Sequence, residues 1–153
     1  MRLTALLVVL ASPALADSMT PRDGWEVFNT GKPFAELVED TRAAISDAPI
    51  NIITQASASS GAQSQGINIP GNRVIGIYRN DYARRMLAAS IPAGIEAPLR
   101  LYLTEDSDGT GTLSYKTAST VFAPYMEEAG PDLSDLAMEL DAILTDIAAA
   151  ATR

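Results

Sequence analysis

The chain is 153 residues long and carries 11 basic against 19 acidic side chains, a net charge of −8, with no histidine and no cysteine. An acidic balance argues against nucleic acid and anionic membrane surfaces as partners, because both reward clustered Lys and Arg. The missing residue types exclude Ser-His-Asp and Cys-His nucleophilic sites, thiol redox chemistry, haem ligation through either residue, and the usual zinc sites.

Residues 1–16 read as a cleavable export signal. Arg2 is a minimal positive start, Leu3 to Ala11 is a short apolar run, and Ala14-Leu15-Ala16 offers the small-x-small pattern of a signal peptidase site. The apolar run is about half of the roughly 20 residues needed to span a bilayer, so cleavage between Ala16 and Asp17 is expected, not anchoring. No cysteine follows that could carry a lipid. The expected mature chain has 137 residues, the 153 less 16, and losing Arg2 takes its charge from −8 to −9. A chain of that length fits one domain and buries enough surface to fold without disulfides, although export would permit them. A periplasmic or secreted protein is expected, with no membrane association after cleavage.

Residues 17–24 are polar, with Pro21 and Gly24, and suggest a loose tail before a globular domain over 25–153. Trp25 to Thr30 alternates like a strand. Pro33 suits a first helical turn, and Leu37, Val38, Thr41, Ile45 and Ala48 then recur at helical spacing until Pro49. Ile50 to Thr54 is β-branched and suggests a buried strand. The Ser/Gly/Ala/Gln stretch 56–66 reads as a surface loop or a weak short helix. After the turn Pro70-Gly71-Asn72, Arg73 to Tyr78 reads as a strand. Asn80 or Asp81 is placed to cap a helix through Ala89, with Tyr82, Ala83, Met86 and Leu87 inward.

Pro92 and Gly94 precede a hairpin of Leu99 to Thr104 and Thr112 to Lys116, joined by a turn rich in Asp and Gly. A short helical stretch near 117–125 follows. Gly130-Pro131 ends it, and Asp132 caps a last helix whose Leu133, Leu136, Leu140, Ile143, Leu144 and Ile147 form one apolar stripe. The expected fold is a single-domain α+β sandwich, a mixed sheet with a C-terminal hairpin and helices packed on one face.

Three constellations could carry function. Glu105, Asp106 and Asp108 cluster in the hairpin turn and could attract a hard cation, but the twelfth position counted from Asp106 is Thr117, where an EF-hand needs Glu. Arg73, Arg79, Arg84, Arg85 and Arg100 concentrate five of the ten mature cations in one stretch. Arg79-Asn80-Asp81 lies where a strand passes into a helix, a place suited to a small anion or carboxylate. Tyr78, Tyr82, Tyr102, Tyr115 and Tyr125 fall in the same central region and suit pockets and half-buried core alike.

Val74-Ile75-Gly76-Ile77-Tyr78-Arg79-Asn80-Asp81, then Ala93 to Arg100 and Leu113-Ser114-Tyr115-Lys116, resemble the domain-of-unknown-function 302 family. The resemblance covers about Phe34 to Tyr125. It implies a compact α/β sandwich and no particular activity, and it places Asn80, Pro98, Arg100, Glu105 and Tyr115 at family-pattern positions. Family members often carry a His near the first helix, and this chain has none.

The leading expectation is a periplasmic module that binds a small, possibly anionic, ligand or a protein, with Arg79, Asn80, Arg100, Glu105 and Tyr115 as candidate ligand-binding residues. No catalytic residue, metal or cofactor is assigned. The alternative is a structural homo-oligomer, a homodimer for instance, packed through the last helix or a sheet face. A carboxylate-dependent hydrolase is a minor third reading.

Overall fold

The structure is a computed structural model that describes residues 19–153. The expected export signal and its cleavage point at Ala16 and Asp17 lie outside those residues, as does the start of the tail.

Five strands form one sheet: β1 (Trp25–Pro33), β2 (Asn51–Ala56), β3 (Asn72–Tyr78), β4 (Leu99–Glu105) and β5 (Thr110–Lys116). Their spatial order is β1-β5-β4-β3-β2, and every neighbouring pair is antiparallel. The α+β sandwich forms as expected, but the sheet is antiparallel throughout and not mixed. The connections explain this: β1 and β2, joined through α1, run in the same sense but lie at opposite edges and never pair, while β2 to β3, β3 to β4 and the expected β4–β5 hairpin each reverse the chain between neighbours. Asp106 N donates to Thr110 O at 2.8 Å and Gly109 N to Asp106 O at 2.9 Å, closing the turn. Gly109 sits at φ +84°, a conformation that side chains with a Cβ resist.

The helices are α1 (Phe34–Asp47), α2 (Ala58–Gln63), α3 (Asn80–Ala89), α4 (Ala118–Phe122), α5 (Met126–Ala129) and α6 (Pro131–Ala151), with 3₁₀ turns at Pro92–Glu96 and Ala123–Tyr125. Helix α1 lies on the sheet, and α6 packs along α1, α3 and α4, so the long helices share one side. Strand periodicity follows from this layering. Leu99, Leu101 and Leu103 are buried beneath the helices, while the alternate Arg100, Tyr102 and Thr104 point to the other face. The α6 stripe Leu133, Leu136, Leu140, Leu144 and Ile147 is likewise consumed by this core.

Several local expectations shift. β2 is an edge strand, largely exposed, because it pairs only with β3 and the register slips between Ile52 and Thr54. Of the two readings of 56–66, the short helix forms: Ser57 accepts from Ser60 N, and Asn72 Oδ1 accepts from Ala58 N at 2.8 Å. Asn80 and Asp81 do not cap α3. Arg79 holds the cap position, with no side-chain cap bond, and Asp81 lies in the first turn. Leu87 is 45% exposed, not inward, because α3 ends just beyond it and the chain turns away at Pro92. Asp132 is not the cap of α6 either: Gly130 is, with Asp132 inside the first turn.

One carboxylate ties α4 to α6. Asp141 accepts from Ala118 N at 2.5 Å and from the Ser119 hydroxyl at 2.5 Å, supplying the acceptor that the first N–H groups of α4 need.

Candidate functional site

At the end of the sheet where β4 and β1 begin and β5 and β3 finish, a cavity of about 350 Å³ opens. Strand register decides which residues meet there. Arg100 pairs with Gly76 and Lys116 with Trp25; the β4–β5 register, which sets Leu101 against Tyr115, places Arg100 beside Lys116 when continued by one residue. One row thus runs Gly76, Arg100, Lys116, Trp25 across the sheet on the side away from the helices. The next row on that side holds Val74, Tyr102 and Ser114.

Trp25 and Tyr102 contribute aromatic walls, Val74 an aliphatic one, and Glu96 reaches in from the 3₁₀ turn. Arg100 and Lys116 are exposed, and neither makes an ion pair among the described residues. Lys116 Nζ stands 5.6 Å from the centroid of the Trp25 ring, and the Arg22 guanidinium stands 5.3 Å from it. Both distances fit cation–π attraction. Glu96 Oε1 accepts from the Tyr125 hydroxyl at 2.8 Å, and this bond, followed by burial, raises the Tyr125 phenol above its ordinary value.

Of the residues expected from the sequence, Arg100 and Tyr115 both border this cavity, but from opposite faces of the sheet. Tyr115 is 2% exposed, its ring stacked on Phe28 with centroids 6.2 Å apart, and it faces the helices. Burial raises its phenol, while the Thr145 hydroxyl of α6 pulls part of the way back. Its hydroxyl is nonetheless buried without a hydrogen bond of normal geometry.

The other three candidates lie elsewhere. Arg79 is committed inside the chain: Nε and Nη2 donate to Asp81 at 2.6 and 2.7 Å, and Nη1 donates to the Pro49 carbonyl at 2.6 Å. Arg79 in turn holds the Asp81 carboxyl down to about 2. Asn80 is exposed at the start of α3. Glu105 ends β4, five residues from Arg100, or about 17 Å along a strand. Its Oε2 accepts from Gly71 N at 2.6 Å while its own N donates to Gly71 O at 2.8 Å, a clamp on the turn before β3.

The remaining constellations disperse too. Arg85 makes a two-pronged bond to Glu139 at 2.7 Å, and Arg79 and Arg85 both lie over the Tyr82 ring, at 4.0 and 5.5 Å. That cluster fastens α3 to α6. Tyr78 and Tyr82 line a cavity of only about 30 Å³, room for a single water. In the hairpin turn, Asp108 accepts from Thr110 N and Oγ1, and Asp106 accepts from Thr112, so these acids serve their own turn. Among the described residues no group of three or more acidic side chains is arranged to hold a metal ion.

Trp25, Glu96 and Lys116 are the site residues that sequence reading missed. Lys116 was within reach, since it follows Tyr115 in a strand and must face the opposite way. Trp25 was not, because only the register of β1 on β5, bridging some 90 positions of chain, brings it alongside.

Fold and cavity together define a small two-layer α+β domain with one mixed aromatic and cationic trough on its sheet. The chain belongs to the family described as domain of unknown function DUF302, whose model matches residues 26–151. Among solved structures, it is similar to the crystal structure of an uncharacterized conserved DUF302 protein from Bacillus stearothermophilus. The TM-score is 0.73 at 15% identity, covering 86% of this chain and all of that one. No curated protein matches the chain in sequence.

Proposed function

We propose that the protein is an exported ligand-binding domain that takes a small molecule in the trough beside Arg100 and Lys116 and performs no chemistry on it. The observation that carries this reading is the cavity itself. Its volume of about 350 Å³ and its mixed lining of aromatic, aliphatic and a few charged groups match what small-molecule sites require. Binding is favoured over hydrolysis because Glu96, the one carboxylate lining the cavity, accepts the Tyr125 hydroxyl, while Asp81, Glu105, Glu139 and Asp141 are engaged elsewhere in holding elements together. Export rests on residues 1–16, whose n-region, apolar run and Ala14-Leu15-Ala16 site form a coherent signal.

One experiment tests both parts. The protein is recovered from the extracytoplasmic fraction of a host producing the full chain and examined by native mass spectrometry. The expected spectrum shows a mature chain beginning at Asp17, with an added small mass that is lost on denaturation. Retention of the leader in the cytoplasm would overturn export. A bare chain whose melting temperature is unmoved by cell extract metabolites would overturn ligand binding.

A second reading, a homo-oligomer, has its own support. Leu87, Ile91 and Ile95 are 45%, 78% and 79% exposed around the end of α3 and the 3₁₀ turn, an apolar patch of the kind that interfaces cover. The α6 stripe offers no such surface, being spent in the core. A strict monomer by light scattering at micromolar concentration would remove this reading.

A further inference from the structure

The trough rests on a row of the sheet that side-chain pairing alone disfavours. Arg100 and Lys116 stand next to each other across two strands, and like charges so placed repel. Neither makes an ion pair among the described residues. The four ion pairs there employ Lys32, Arg42, Arg79 and Arg85. Glu96 lines the same cavity, but it is one carboxylate against two cations and already accepts the Tyr125 hydroxyl. The trough is therefore locally positive in a chain whose net charge is −8. Arg22 adds a third cation at the Trp25 ring.

The ends of the row are closed by different means. A side chain at Gly76 would come within 2.2 Å of Thr54 Oγ1 and 3.0 Å of Pro98 Cγ, so those two residues already cover that end. The indole of Trp25 bounds the other. Between them an anionic head would meet the guanidinium and ammonium together, and Arg offers a carboxylate a planar, two-pronged partner. Val74 and Tyr102, one row further up the strands, offer apolar surface for whatever the head is attached to.

Resting on the ligand-binding reading above, we propose that the trough selects small organic carboxylates with an apolar body. The carboxylate sits between Arg100 and Lys116, and the body lies against Trp25, Val74 and Tyr102. Such a ligand offsets the like-charge repulsion between Arg100 and Lys116, which a neutral molecule cannot do.

Trp25 is the single tryptophan of the sequence, so intrinsic fluorescence reports on the trough directly. The full mature protein is titrated with benzoate and octanoate, and in parallel with benzamide and octanamide, which keep shape and lose charge. Arg100→Met and Lys116→Met are titrated alongside; each lies on the surface, so melting temperatures close to that of the parent chain establish that both are folded. The expected result is saturable change with the acids, at least tenfold weaker binding of the amides, and at least tenfold weaker acid binding in either variant with amide binding unaltered. Equal binding of acids and amides, untouched by either substitution, overturns the carboxylate assignment and leaves a ligand-binding trough without charge selection. No saturable change with any of the four probes also overturns it. A small molecule retained in the native mass spectrum would then preserve the broader reading, and a bare chain whose melting temperature is unmoved by cell extract metabolites would end both.

Discussion

Replacing Tyr115 by Phe should make the protein more stable, an outcome that ordinary intuition about a buried tyrosine would not favour. The ring is fully enclosed between Phe28, the sheet and α6, while its hydroxyl is buried with no hydrogen bond of normal geometry. A buried polar group left unpaired costs about 1–3 kcal/mol. Thr145 offers partial relief, so the low end applies, and Tyr115→Phe should gain about 1 kcal/mol. For a chain of this size that corresponds to a melting temperature higher by roughly 3–5 °C. Tyr115→Ala, which also removes the packed ring, should lose about 3–5 kcal/mol. Guanidinium unfolding followed by Trp25 fluorescence measures both, and an unchanged denaturant slope shows that stability changed without a change in the surface exposed on unfolding. The same group predicts an alkaline signature. Its phenol holds its proton more tightly in the folded chain than its ordinary value of 10.0, so its contribution is complete below pH 10 and is lost as pH rises through the raised value. Tyr115→Phe should flatten that alkaline decline. A loss of 1 kcal/mol or more on the Phe substitution would refute the reasoning, because it would mean the hydroxyl is well bonded.

Asp81 should titrate at about 2 by carboxyl NMR, because the Arg79 guanidinium grips its charged form. Its contribution to stability is present above its ordinary value of 3.8 and lost as pH falls through about 2, so Asp81→Asn should blunt acid sensitivity in that window; a midpoint near 3.8 would show the pair unformed in solution. Asp141→Ala removes the acceptor shared by Ala118 N and Ser119 and should cost about 2 kcal/mol in chemical denaturation, with Asn recovering part of it. A change below about 0.5 kcal/mol would mean that α4 is held by its own Thr117 cap and by packing alone.

The legibility of this chain differed sharply between elements. α1 and α6 were readable because their apolar residues recur at a spacing that only a helix can turn to one side, and the core accepts that side. The hairpin was readable because its turn chemistry is local. β2 was misjudged as buried for an equally physical reason: a β-branched segment is the same whether it is central or at an edge, and only its neighbours decide. The candidate site was half legible. Arg100 and Tyr115 lie on adjacent strands of the hairpin, so their closeness is nearly local. Arg79 and Glu105 are equally polar in sequence, but each met an internal partner, Asp81 and the Gly71 backbone, that no spacing rule announces.

By itself, then, the sequence excluded the chemistries that need histidine or cysteine and determined the α+β composition, the hairpin and the family resemblance, all of which depend on residue types and short periodicities. The tertiary structure decided the antiparallel strand order and, through it, the trough. Register between strands distant in the chain is set by the collective packing of Ile75, Leu101 and Leu113 beneath the helices. That packing carries Arg100, Lys116 and Trp25 into one row on the opposite face, where no local signal could have placed them.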